Sequence, residues 1–149
     1  MRSTRLRGAG LVLVAVVLSG CAGMMAKEEP SLYSRLGGRD PIGLVVDDFV
    51  ANLSADPRVS ARFKALPPEQ VFRLKSYLAD QICEASGGPC SYVGRDMKSA
   101  HQGMKITEAE WNATVEGLVK ALDKHKVPAK ENSELLGLLG PMKKDIVGQ

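Results

Sequence analysis

From Ile42 onward, apolar residues recur at three- and four-residue intervals. Ile42, Val45, Val46, Phe49, Val50 and Leu53 share one stripe of a predicted helix. A second predicted helix carries Val71, Leu74, Leu78 and Ile82. A third begins at Thr107, whose hydroxyl can cap the first turn while Glu110 reaches back, and presents Trp111, Val115, Leu118, Val119 and Leu122. The fourth follows Pro128 and offers Leu135, Leu136, Leu138, Leu139, Met142 and Ile146. A bend is expected in it at Gly140-Pro141, where the proline ring removes a donor and crowds the preceding turn. No alternating strand pattern and no repeat intervenes. Leu36-Gly37-Gly38, Gly87-Gly88-Pro89 and Gly94 break the helices, and Arg95 to Met104 forms a short helix-compatible island. Short helices followed by longer ones predict an all-α fold that wraps around something, rather than a plain four-helix bundle.

The N-terminus changes the picture of where this domain works. Arg2, Arg5 and Arg7 precede an apolar run from Leu11 to Leu18, which ends in Leu18-Ser19-Gly20-Cys21. The run is far short of the roughly 18 to 20 residues that span a bilayer and reads as a secretory signal. Its end resembles a bacterial lipobox, which implies that Cys21 carries a thioether-linked diacylglycerol and becomes the mature N-terminus. The expected organisation is a signal peptide over residues 1–20, a lipidated tether over 21–30 and one domain over 31–149. The expected location is the cell envelope, lipid-anchored and facing the periplasm. Ala22 after the cysteine favours the outer membrane by resemblance to lipoprotein sorting rules.

Removing residues 1–20 lowers the Lys and Arg count from 20 to 17, against 17 acidic residues. The +3 of the whole chain therefore comes from the signal, and nothing supports a nucleic-acid partner. Export would place Cys83 and Cys90 where a disulfide can persist. Their C-x6-C spacing is neither a redox C-x-x-C nor a C-x-x-C-H haem attachment, and it leaves a structural staple and two free thiols both open.

Only two histidines are available for chemistry. His125 stands among charges in Asp123-Lys124-His125-Lys126, near a helix end, and reads as a solvated residue that complements the helix dipole. His101 has Met97 four residues before it and Met104 three after, so a short apolar helix face would hold its imidazole between thioethers. Two separated histidines and a distant cysteine pair assemble no zinc site. One axial imidazole and an apolar slot do suffice for haem, whose porphyrin supplies the other four nitrogens. The glycine and serine signatures of hydrolases, nucleotide-binding loops and dinucleotide folds are missing, as is the H-E-x-x-H of zinc proteases.

Several segments taken in order carry a resemblance. They are Leu32-Tyr33-Ser34-Arg35-Leu36-Gly37-Gly38, Val45-Val46-Asp47-Asp48-Phe49, Ala55-Asp56-Pro57-Arg58, Gly87-Gly88-Pro89, Tyr92 to Lys98 and Ala100 to Thr107. Together they resemble the first group of truncated haemoglobins over about Leu32 to Val147. The resemblance implies a two-over-two helical sandwich around haem b, with His101 of the Met-x-x-x-His pattern as proximal iron ligand. It implies that Phe63 packs on the haem face, that Phe49 and Val50 border the pocket, and that Leu74, Leu78 and Ile82 lie on the distal helix. Met97 and Trp111 are placed near the proximal region, with Arg73 or Lys75 as partners for a haem propionate.

One departure qualifies the match. Family members usually follow the phenylalanine at position 49 with a tyrosine that hydrogen-bonds bound oxygen, and this chain has Val50. With Leu74 and Leu78 also apolar, the distal side is expected to lack a donor. A hydrogen bond to a charged acceptor contributes about 1.5 to 3 kcal/mol, so oxygen release should be about ten- to a hundredfold faster than with tyrosine. The segment Lys64 to Pro68 is longer than in compact members, and a register slip there would bring Tyr77 toward the pocket. The implied function is reversible binding of a diatomic gas: oxygen, nitric oxide or carbon monoxide. Two alternatives stay open: a nitric oxide dioxygenase served by a reductase partner, or a six-coordinate haem redox or sensor protein.

Overall fold

A computed structural model of the chain describes residues 29–149. The signal, Cys21 and the tether up to residue 28 lie outside the described residues. Among the described residues there are seven α-helices: α1 (Leu32–Arg35), α2 (Arg39–Ala55), α3 (Ser60–Lys64), α4 (Pro68–Ala85), α5 (Met97–His101), α6 (Glu108–Lys124) and α7 (Ala129–Leu139). A 3-10 helix, Gly140–Asp145, continues α7. Among the described residues there is no strand, only an isolated parallel bridge between Ile106 and Val147. α2 packs on α4 and α6, α4 on α7, and α5 on the 3-10 helix. The arrangement is a two-over-two sandwich.

The predicted stripe of α2 becomes the centre of the core: Ile42, Val45, Val46, Phe49, Val50 and Leu53 are all buried. What meets it on α6 is a row of small residues. Ala113, Gly117 and Ala121 are buried at four-residue intervals, and a Cβ at Gly117 would lie 3.2 Å from Leu53 Cδ2. That smallness lets the two helices approach closely enough for Asn52 Nδ2 to donate to the Gly117 carbonyl at 2.9 Å. Substituting Asn52 would remove this link between α2 and α6.

Helix ends follow from local chemistry. Pro67-Pro68 opens α4 with a proline in the first turn, where its missing N–H costs nothing. Thr107 and Glu110 form a reciprocal capping box at the start of α6. Gly140-Pro141 ends the α-helical run of α7 and shifts the chain into the 3-10 helix, the expected bend. Two short helices have no apolar period of their own and were not legible as helices from it. α1 is held by Ser31 as its cap and by Arg35, whose Nε meets Glu131 Oε1 of α7 at 3.1 Å while its Nη2 reaches Glu134.

Cys83 and Cys90 are joined in a disulfide, Cα–Cα 5.8 Å, which settles the choice left open by their spacing. The staple ties the last turn of α4 to the segment that leads into α5. Gly88 lies beneath it, and a Cβ there would meet Tyr33 Cδ2 at 2.5 Å and Cys83 Sγ at 2.6 Å. The closed loop is short, so the cross-link should contribute about 2 to 3 kcal/mol. Cys83→Ala/Cys90→Ala is expected to melt roughly 8 to 12 °C below the oxidised wild type in a thermal scan. Reducing agent should lower the wild-type melting temperature and leave the double variant where it is.

Acid stability rests on the start of α6. Arg62 Nε donates to Glu110 Oε1 at 2.6 Å, and the Thr107 N–H and hydroxyl donate to Oε2 at 2.8 and 2.9 Å. These donors, the guanidinium foremost, hold the Glu110 carboxyl at about 2. A depressed folded value stabilises the protein fully above the unfolded value of 4.5 and is lost as pH falls from there toward 2. Asp56, held at about 2 by hydrogen bonds from Arg58, adds a loss in the same direction. Glu110→Gln should therefore be less stable than wild type at neutral pH, with the gap narrowing below pH 4.5 and closing toward pH 2 in urea unfolding. A constant gap would show that this cap does not carry the acid sensitivity.

Candidate functional site

His101 ends α5, a five-residue helix capped by Asp96, whose carboxylate accepts from the Ser99 N–H at 2.9 Å. Its ring is fixed from within the same turn. Nδ1 lies 2.8 Å from the Met97 carbonyl oxygen, which can only accept, so Nδ1 donates its hydrogen and, in the neutral ring, the lone pair is on Nε2. Among the described residues Nε2 has no hydrogen-bond partner. A neutral imidazole pinned at one nitrogen and open at the other is the donor a metal centre requires. Among the described residues no group of three or more His, Cys, Asp and Glu gathers, so this nitrogen could serve only a metal that brings its other ligands along.

The half-buried apolar residues of the other helices fit such a group. Phe63 of α3, Val71, Leu74 and Leu78 of α4, Met97 of α5, and Trp111, Val115 and Val119 of α6 are half-buried. So are Leu136, Leu139 and Met142 of the C-terminal helices. The half-covered row of α6 runs beside the fully buried Ala113–Gly117–Ala121 row, so one face of the helix is complete and the adjacent one is not. Apolar residues at helical spacing that the protein itself does not cover are the lining expected for a large flat hydrophobic cofactor.

The other residues singled out in the sequence fall as follows. Phe49 and Val50 are 6% and 4% exposed and sit in the main core on α2. Ile82, 4% exposed, also belongs to that core and borders a cavity of about 110 Å³ together with Leu36, Ile42, Val45, Leu122 and Leu135. Lys75 is engaged by Asp47 of α2 at 2.9 Å, whereas Arg73 is exposed and has no ion-pair partner among the described residues. Tyr77 is 39% exposed and stands edge-on to Tyr92, ring centroids 6.1 Å apart. Leu74 and Leu78, rather than Tyr77, occupy the inner stripe of α4. Burial, with Tyr77 as neighbour, pushes the Tyr92 hydroxyl above its ordinary pKa, and that hydroxyl donates to the Arg95 carbonyl at 2.7 Å.

His125 differs from its sequence reading. Its Nε2 meets Asp48 Oδ2 at 2.7 Å, and Lys124 Nζ meets Oδ1 of the same carboxylate at 2.6 Å. The pair joins the end of α6 to α2, and the Lys124 and His125 hydrogen bonds lower the Asp48 pKa. Sequence reasoning also passed over Gln81, whose amide Nε2 lies 3.4 Å from Met97 Sδ and 3.6 Å from Met142 Sδ. The signal was present: Leu74, Leu78 and Gln81 are spaced i, i+4, i+7, so Gln81 continues the inner stripe.

A helical sandwich with a single open imidazole nitrogen and half-covered apolar stripes points to a globin-like class, and comparison with known proteins agrees. Residues 31–147 match the model of the family described as bacterial-like globin, and the chain belongs to that family. Within it, the chain is a member of the group 1 truncated haemoglobins. It is 35% identical over 121 residues to a group 1 truncated haemoglobin of Mycolicibacterium paratuberculosis, covering 80% of this chain and 87% of that one. The solved truncated haemoglobin of Tetrahymena pyriformis, in its Fe(III) form, superposes with a TM-score of 0.75 at 27% identity. That match covers 80% of this chain and all of the other. The 2/2 haemoglobin of a Synechococcus species, solved with covalently attached haem, gives 0.73 at 28% identity with the same coverage.

Proposed function

We propose that the chain binds haem b through His101 and exposes it to a diatomic gas in the cell envelope, held at a membrane by lipid on Cys21. The observation that carries this reading is the His101 ring, fixed through Nδ1 to the Met97 carbonyl at 2.8 Å with Nε2 left open. When bound, haem supplies the iron at which the gas exchanges. The protein's own work is to hold and enclose. Phe63, Leu74, Leu78, Met97 and Trp111 offer apolar contact. Of the two candidates, Arg73 rather than Lys75 is assigned to a propionate, because Lys75 is held by Asp47. Val50, Leu74 and Leu78, the residues assigned to the distal side, present no hydrogen-bond donor to a ligand.

The test is an absorption spectrum of the purified mature protein in ferric, ferrous and carbon monoxide-treated states. The expected result is a Soret band that shifts on reduction and again with carbon monoxide. A colourless protein, or a ferrous spectrum indifferent to carbon monoxide, overturns the reading. The anchor is tested separately. Cells fed a labelled fatty acid should label the wild type in the membrane fraction and fail to label Cys21→Ser, which should become soluble.

A further inference from the structure

A glutamine on the uncovered stripe of α4 is the residue that patterning explains least. Gln81 is half-buried where leucine would fill the space without desolvating an amide. Its Nε2 instead reaches two thioether sulfurs, Met97 Sδ at 3.4 Å and Met142 Sδ at 3.6 Å. Thioethers are weak acceptors, so the contact is a poor return for burying a donor unless position matters. The three partners come from three elements: α4, α5 and the 3-10 helix. Met97 is also the residue whose carbonyl holds His101 Nδ1. One residue is therefore gripped from α4 by its side chain and grips the imidazole with its backbone.

α5 needs such a hold. Five residues are too few to be helical on their own. Its first turn is fixed by Asp96 onto Ser99, and its end by the Met104 N–H onto the His101 carbonyl. Both of these ties are local and leave the helix free to roll about its axis. Among the described residues, the Gln81–Met97 contact is the one side-chain hydrogen bond that joins α5 to another helix. We infer that Gln81 is a positioning residue for His101: through Met97 it sets the roll of α5 and with it the direction in which Nε2 points. The inference rests on His101 being the iron ligand.

The test uses the haem-loaded protein and two substitutions that keep volume while removing the donor or its acceptor, Gln81→Met and Met97→Leu. The readouts are the iron–imidazole stretching line in resonance Raman of the ferrous protein without gas, and the rate at which haem passes to an apo-globin acceptor. Each variant is expected to shift or split the line and to lose haem about three- to tenfold faster, less than the ten- to a hundredfold typical of a partner in direct contact with a ligand. The double variant should do no more than either single, as two links of one chain require. Met142→Leu, which leaves the Met97 contact in place, should keep the wild-type line. A lowered melting temperature with an unmoved line would mean Gln81 is merely structural and overturns the inference, as would additive effects. A wild type lacking any iron–imidazole line would instead sink the ligand assignment itself, a distinct result.

Discussion

His101→Gly is expected to purify colourless, with no Soret band surviving gel filtration, and to regain pigment when haem and millimolar imidazole are supplied together. The expectation follows from the position of the ring. The ring's own hydrogen bond is to the Met97 carbonyl of the same helix, at 2.8 Å, so removing the ring opens a space without unpairing a distant group. The core made by α2, α4 and α6 does not use His101, and the half-buried ring leaves no cavity in that core. Glycine at the last position of α5 costs at most about 1 kcal/mol of helix propensity, a small share of the stability of a domain of this size. Far-ultraviolet circular dichroism should accordingly match the haem-free wild type. Free imidazole can enter the vacated volume and offer the same nitrogen without the tether. Retention of full colour by His101→Gly, with an unchanged spectrum, would remove the basis for the globin reading.

How much of this could be read from the chain depends on the range of the interaction concerned. α2, α4 and α6 were legible because each spends an apolar residue every three or four positions, and burial on one face demands that period whatever lies opposite. α1 and α3 were not legible from such a period, because four or five residues contain little more than one turn and are held by partners far along the chain, as Arg35 is by Glu131. His101 stood out because so few side chains could bind a metal, and its methionine neighbours marked the face as apolar. The His125–Asp48 pair was invisible for the opposite reason: its partner is 77 positions away, and a histidine among charges reads as solvated. Gln81 was missed because a polar residue on an apolar stripe is assumed to point outward, an assumption that fails when sulfur atoms from two other elements converge on it. The buried, small-residue contact between α2 and α6 was likewise unreadable, since Ala113, Gly117 and Ala121 carry no strong apolar signal.

Val50→Tyr is expected to slow oxygen dissociation from the haem-loaded protein by about ten- to a hundredfold, the equivalent of one hydrogen bond to a charged acceptor at about 1.5 to 3 kcal/mol. Position 50 lies one residue beyond Phe49, about 100° further round α2, and its side chain is 4% exposed. A ring placed there must displace core neighbours, which costs about 1 to 3 kcal/mol of stability when packing is tight. The kinetic effect therefore has to be separated from repacking. Val50→Phe provides the control, because it adds nearly the same bulk without a hydroxyl. If the donor is what matters, Val50→Phe should leave oxygen dissociation near the wild-type rate while sharing the loss in melting temperature. Carbon monoxide draws less charge than oxygen, so its dissociation should respond weakly to the hydroxyl and equally to the two variants. Tyr77, packed edge-on against Tyr92 outside the inner stripe, predicts no contribution, and Tyr77→Phe should leave the oxygen rate unchanged. The opposite pattern, an inert Val50→Tyr and a faster Tyr77→Phe, would place the phenol of α4 rather than the apolar row in control of the ligand.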